Sequence, residues 1–526
     1  MLDALAELAE PRAVTAEWVR AGAELVRIAL GSSEIAPEAD RRFADPAWQL
    51  NPLYRRWAQA YLLWRRVLEQ LAAAVESGGD WRRAERARYA ATLLAEATAP
   101  TNLLAGNPAA LKRAFDTAGA SLVHGATQLG HDLVRNRGLP AQVDRSGFVV
   151  GENLAATPGA VVHRDDMFEL IQYGPATARV HERPLLMIPP QVNKHYFLDL
   201  APGRSLVEYV VGCGIQYFTM VWRNPSPADG ARGIDDYVGA QLRALEVVQD
   251  ITRCDAVNLL GVCAGGLTAG LMLGHLAAAG DPRIVNSATF AISMLDARFP
   301  NPLGMLATQR FIRRIAADAR AGRVYDRREI GRAFAWLRPH DLVFSYVIND
   351  WLMGEDPPSF DILAWNADGS DLPARFYADM LDIYVHNRAA EPFGVRVLGR
   401  PVDLARVRCD TFIVSGETDH ITPWRCGYMT SQLLGGRSEV LVTTTGHIQT
   451  MVNPPGKPRA RYWAGPAPGP DPDAWLAAAT PRDGSWWPRY ADWLVVRSGS
   501  DRDAPAALGS RRYPVLEPAP GRYVRE

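Results

Sequence analysis

Three short segments bring together residue types capable of nucleophilic chemistry. Gly261-Val262-Cys263-Ala264-Gly265 has the form G-x-C-x-G. A thiol set between glycines in a sharp strand-to-helix turn is presented at the head of the following helix, whose free N–H groups favour negative charge there. A cysteine nucleophile needs a base, and the base needs an orienting acid. Thr411-Phe-Ile-Val-Ser-Gly-Glu-Thr-Asp419 and Val440-Leu-Val-Thr-Thr-Thr-Gly-His447 each carry an apolar run into a polar turn, in the chain order nucleophile, acid, base. The expected triad is Cys263, Asp419 and His447. His420 competes as the base but has no separate acid to orient it, and Glu417 competes as the acid. An oxyanion hole is expected from the N–H of Ala264 and from the loop Pro189-Pro190-Gln191-Val192-Asn193-Lys194. The two prolines have no N–H to offer, and Val192 is the expected second donor, against the plain reading of a buried valine in a turn.

These residues need a sheet to hold them. Short apolar runs at Leu185-Leu-Met-Ile, Gln216 to Trp222, Ala256-Val-Asn-Leu-Leu, Ile284 to Ile292, Thr411-Phe-Ile-Val and Val440-Leu-Val-Thr alternate with helical stretches such as Asp235 to Thr252. That alternation predicts an α/β fold with a parallel sheet covered on both faces, and sites at the C-terminal strand ends. Residues 1–150 read instead as a helical domain, with Asn107-Pro108 as one helix start. The catalytic domain is expected over 151–526. Within it, about 295–397 reads as an inserted, mostly helical cap, with Trp336, Phe344, Tyr346, Trp351 and Trp365 suited to a lid. From Pro454 the sequence predicts a closing helix near Trp486 to Val496 and an irregular tail.

Composition narrows the classes. The chain has 526 residues, and its 57 Lys and Arg against 58 Asp and Glu leave no global field for nucleic acid or an anionic membrane. Lysine occurs only at 112, 194 and 457. Five cysteines without a C-x-x-C pair argue against a disulfide scaffold or a zinc site and fit a reducing cytoplasm; Cys213 and Cys409 read as buried structural residues. The start, MLDALAELAE, has acids where a signal peptide has bases. Ala256 to Gly280 is 25 residues without a formal charge, long enough for a membrane span. Its glycine break divides it into a strand, a turn and one helix, and Gly266, Gly270 and Gly274 give that helix a smooth stripe for close packing.

With these motifs in view, the chain resembles the polyhydroxyalkanoate synthases of the single-subunit class I or class II type. The resemblance runs through Asp40-Arg-Arg-Phe-Ala-Asp-Pro-Ala-Trp48, Glu152-Asn-Leu-Ala-Ala-Thr-Pro-Gly159, the Pro189 to Lys194 loop, Trp222-Arg-Asn-Pro225, the elbow, Leu337-Arg-Pro-His-Asp-Leu342, Gly446-His-Ile448, Asn453-Pro-Pro455, Gly484-Ser-Trp-Trp-Pro488 and Glu517 to Tyr523. It departs from the class I pattern at Val262, where an aromatic is expected, and at Gln191, where tryptophan is expected.

The resemblance implies an α/β-hydrolase fold and the same triad. It implies polymerisation of (R)-3-hydroxyacyl groups from coenzyme A thioesters through an acyl-cysteine, with no cofactor beyond the CoA thioester substrate and no metal. It further implies a cytoplasmic homodimer on a polyester granule, without nucleic-acid partners or a membrane span. The rival readings are a cysteine-dependent thioesterase or polyester hydrolase, and a non-catalytic granule-coating protein.

Overall fold

The computed structural model describes residues 11–37, 40–76 and 80–526; the acidic stretch 1–10 lies outside the described residues. The chain divides into two compact units. One comprises residues up to Ser146 together with Gly331–Phe360, the other Gly147–Ile330 and Asp361–Glu526.

The first unit is helical. Helices α1 (Pro11–Leu30), α2 (Pro52–Glu76) and α3 (Trp81–Ala97) close on small and branched side chains, among them Ala21, Ile28, Val67, Leu71, Ala87 and Ala91. Asn107 caps the helix that begins at Pro108, accepting from the Ala110 N–H at 3.1 Å. Helix α4 (Ala120–Arg135) meets the π-helical turn Val347–Leu352 backbone to backbone, for a Cβ on Gly125 would lie 2.1 Å from the Trp351 carbonyl oxygen. Trp351 Nε1 donates to Asp132 at 2.9 Å. A second tie joins two segments 244 residues apart. Arg42 pairs with Asp40 and with Glu96, and Glu96 also meets His340 Nδ1 at 3.1 Å. Residues 331–360, read from sequence as part of the cap, are therefore bonded into the helical unit. Trp336, Phe344, Tyr346 and Trp351 go with them; Trp365 alone of the five aromatics belongs to the other unit.

The second unit is built on an eleven-stranded sheet. Its strands are β1 (Gly159–Arg164), β2 (Phe168–Tyr173), β3 (Leu185–Ile188), β4 (Tyr217–Trp222), β5 (Val257–Val262), β6 (Val285–Ala291), β7 (Asp410–Gly416), β8 (Ser438–Thr443), β9 (Arg461–Ala464), β10 (Thr480–Asp483) and β11 (Glu517–Pro518). Their spatial order is 10-9-8-7-6-5-3-4-2-1-11. Strands β3 to β8 run parallel, while β1, β2, β9, β10 and β11 pair antiparallel at the flanks. The expectation of a parallel sheet thus holds for the centre and fails at both edges. Hairpins need only short turns to add antiparallel strands there, whereas parallel neighbours need a crossover helix.

The central strands are buried on both faces, as uninterrupted apolar runs require. Helix α5 (Ile234–Thr252) and helix α6 (Ala264–Ala279) cover them. The uncharged run 256–280 is β5, a turn and α6, and among the described residues no helix is long and apolar enough to cross a membrane. Along the glycine stripe of α6 a Cβ would strike Ser293 at Gly266, Leu295 at Gly270 and, at Gly274, Val402 of a small two-stranded ribbon. After α6 come helix α7 (Ala374–Val385), helix α8 (Trp424–Leu433) and the closing helix α9 (Trp487–Arg497). The stretch after Pro454, expected to be irregular apart from α9, also supplies β9, β10 and β11.

Candidate active site

The strand order reverses at β3, with β4 on one side and β5 on the other, the point at which open α/β sheets place their sites. Cys263 follows β5 there with φ +52° and ψ −124°, a conformation that an L-residue holds only when its surroundings force it. Three hydrogen bonds supply that force. The Cys263 N–H donates to Ala291 at 3.0 Å, and its carbonyl accepts from the Gly266 N–H at 3.0 Å and from Ser293 Oγ at 2.8 Å. The flanking glycines are steric necessities. A Cβ on Gly265 would lie 2.4 Å from the Ile188 carbonyl oxygen and 2.5 Å from that of Pro189, and one on Gly266 would lie 2.2 Å from Ser293 Oγ. The turn therefore presses the start of α6 against the loop after β3.

A second strained residue adjoins the first. Ile292, at the end of β6, has φ +42°, rare for a β-branched side chain. Its N–H donates to Val414 at 2.7 Å, and its carbonyl accepts from Thr422 Oγ1 at 2.9 Å.

Asp419 follows β7 and His447 follows β8. His447 Nδ1 lies 2.7 Å from Asp419 Oδ2, with the two residues 7% and 5% exposed. Asp419 Oδ1 accepts the N–H groups of Ile421 at 2.8 Å and Thr422 at 2.9 Å. Burial opposes the charge on Asp419, but His447 and these two N–H groups outweigh it and hold the carboxyl below its usual range. Burial likewise opposes an imidazolium at His447. The Asp419 carboxylate, then the nearby Cys263 sulfur and the hydrogen bond to Asp419, outweigh it and hold His447 above its ordinary range. His447 is thus hydrogen-bonded to the acid, with the thiol within electrostatic range. His447 meets Asp419, and Glu417, the competing acid, is exposed.

Thr422 is a site residue that sequence reasoning missed. Its hydroxyl lies 2.9 Å from Asp419 Oδ2 and 3.2 Å from His447 Nδ1, bracing the pair against the Ile292 carbonyl. Its signal was a hydroxyl three residues after a turn aspartate, where such side chains close a turn. Tyr384, on α7, is also near: it is buried, donates to the Met294 carbonyl at 3.3 Å and lies within electrostatic range of the Cys263 sulfur.

Ala264 opens α6, where first-turn N–H groups lack intrahelical partners. Val192 is half-buried in the loop after β3, and Gln191 beside it donates to Thr268 of α6 at 3.2 Å. Of the remaining cysteines, Cys254 and Cys426 are the buried ones, while Cys213 and Cys409, read from sequence as buried, are half-buried.

A central parallel sheet of this order, with a nucleophile elbow after β5 and an acid and a histidine after β7 and β8, defines an α/β-hydrolase-fold protein preceded by a helical region. Comparison with known proteins then narrows the class. Residues 39–210 match the model of the poly-beta-hydroxybutyrate polymerase (PhaC) N-terminus. The chain is 44% identical over 504 residues to poly(3-hydroxyalkanoate) polymerase 2 of Ectopseudomonas oleovorans, covering 96% of this chain and 90% of that one. It is 40% identical over 496 residues to the poly(3-hydroxyalkanoate) polymerase subunit PhaC of Cupriavidus necator, covering 93% of this chain and 83% of that protein. Among solved structures, it is similar to a bromoperoxidase from Bacillus anthracis at 14% identity and a TM-score of 0.36, over 56% of this chain and 94% of that one. The chain belongs to the poly(3-hydroxyalkanoate) polymerase family.

Proposed function

We propose that this protein polymerises (R)-3-hydroxyacyl groups from their coenzyme A thioesters through an acyl-cysteine at Cys263. One arrangement carries the reading: in a member of the polymerase family, His447 is hydrogen-bonded to the buried Asp419 and lies within electrostatic range of the Cys263 sulfur. His447 takes the thiol proton, and the sulfur attacks the acyl carbonyl. The carbonyl becomes an oxyanion facing the N–H groups of Ala264 and Val192. Its collapse breaks the bond to the CoA sulfur, which leaves with the proton from His447.

Thioester exchange is nearly isoenergetic, so the acyl group stays activated on Cys263. The 3-hydroxyl of another unit then gives its proton to His447 and attacks an acyl thioester, which makes one ester bond and frees one thiol. Asp419 holds the imidazole in orientation throughout. Water competes with the hydroxyl, so the small exposure of His447 and Asp419 favours transfer over hydrolysis. The thioester is the substrate, and no metal or further cofactor is assigned a role. A cytoplasmic homodimer working at a polyester granule surface fits an uncharged product and a chain with formal net charge −1.

Incubation with short and medium 3-hydroxyacyl-CoA thioesters tests the reading. Polymer with stoichiometric free CoA is expected; monomeric hydroxy acid as the sole product would overturn it in favour of a hydrolase.

A further inference from the structure

The oxyanion loop is held by a segment that the proposed chemistry does not use. Residues 365–371, running from the end of helix Asp361–Asn366 toward α7, reach residues 192–196 four times. Trp365 Nε1 donates to the Lys194 carbonyl at 2.9 Å, and the Ser370 N–H donates to the Val192 carbonyl at 3.3 Å. Asn193 and Gly369 pair backbone to backbone, and the Tyr196 hydroxyl donates to Asp368 at 2.7 Å.

The segment is itself anchored on Trp222-Arg-Asn-Pro225, after β4. Asn224 and Asp371 bond reciprocally: the Asp371 N–H donates to Asn224 Oδ1 and Asn224 Nδ2 donates to Asp371 Oδ2, both at 2.8 Å. Trp222 Nε1 closes the circuit with a 3.0 Å bond to the Pro189 carbonyl, and the Arg327 N–H donates to Asp371 Oδ1 at 2.8 Å. On the other side, Gln191 is tied to Thr268, whose hydroxyl donates to the Gly265 carbonyl at 3.1 Å. The Gln191–Val192 peptide, which carries the Val192 N–H, therefore lies between an anchor on α6 and an anchor on 365–371. Trp222 to Pro225, singled out in the sequence but given no chemistry, and the expected oxyanion loop Pro189 to Lys194 converge on this brace.

We infer that Asn224 and Asp371 are positioning residues for the oxyanion-hole N–H of Val192. They act through the 365–371 segment and do not touch the substrate. The inference rests on the triad reading and deepens it, for a misdirected donor costs transition-state stabilisation while the ground-state thioester still binds.

The test is Asp371→Ala beside Asp371→Asn, with active sites counted by alkylation of Cys263 with iodoacetamide. Asp371→Ala should lower kcat for CoA release per alkylatable thiol by at least about tenfold, with KM changed less than about threefold; loss of a whole oxyanion donor is worth about 10²–10³ in kcat. Asp371→Asn, which keeps one acceptor, should recover part of the loss, and the rate of Cys263 alkylation should match wild type in both. Should Asp371→Ala fail to fold, Trp365→Phe, which removes only the donor to Lys194 in a buried ring, carries the same expectation. An unchanged kcat per alkylatable thiol in folded variants overturns the brace. Wild-type protein that keeps its activity after complete Cys263 alkylation overturns the triad reading instead.

Discussion

His447 Nδ1 and Asp419 Oδ2 stand 2.7 Å apart, both side chains buried, with the Cys263 sulfur within electrostatic range of the ring. The hydroxyl of Thr422 braces this pair. Thr422→Val keeps the shape and removes the hydroxyl. With about 1.5–3 kcal/mol at stake for a hydrogen bond to a charged group, kcat should fall by about tenfold or more. The KM for acyl-CoA should change little, and steady-state CoA release checks both.

The elbow tolerates no Cβ at Gly265, because the atoms in the way are the Ile188 and Pro189 carbonyls, which cannot rotate aside. Gly265→Ala should cost about 1–3 kcal/mol of stability by overpacking and displace the loop carrying Val192. A lowered melting temperature together with a lowered kcat is the expected pair of results.

Asp350, in the helical unit, is 2% exposed, and its Oδ2 has no hydrogen-bond partner. Burial first, then Asp132, Glu355 and Asp356, push its carboxyl up to about 7. A folded value raised above the unfolded 3.8 costs nothing below pH 3.8; the cost grows as the pH rises to 7 and is complete beyond it. Asp350→Asn should therefore raise the melting temperature most at pH 8 and least near pH 4.

His340 is held above its ordinary value by the Glu96 hydrogen bond, against burial and the Arg42 charge. A raised histidine adds stability that is complete below the unfolded pKa and is lost as the pH rises through the folded one. The melting-temperature difference between wild type and His340→Gln should accordingly be larger at pH 6 than at pH 9. Arg42, which pairs with the same Glu96 carboxylate, stays charged across that range and keeps its own bond.

The three proposed site residues were legible through one local signal, for each follows an apolar strand and a glycine-bearing turn. Strands β1 and β2 were missed because their hairpin carries Arg164, Asp165, Asp166 and Glu169, which read as surface. Glu169 is in fact fully buried, paired with Arg164 and accepting the Tyr523 N–H. The grouping of residues 331–360 with the helical unit was invisible to periodicity, since it depends on Glu96 meeting His340 and Asp132 meeting Trp351, partners more than 200 residues apart. Thr422 went unread because one hydroxyl in a polar turn acquires its meaning only when β6, β7 and β8 bring Ile292, Asp419 and His447 around it.

The central claim is a covalent acyl group on Cys263. Rapid quenching during turnover of a 3-hydroxyacyl-CoA, followed by proteolysis and mass measurement, should find the peptide containing Cys263 heavier by one or more hydroxyacyl units. Cys263→Ala should show neither that peptide nor CoA release. An unmodified Cys263 peptide during active turnover, or CoA release by Cys263→Ala at the wild-type rate, would contradict the account.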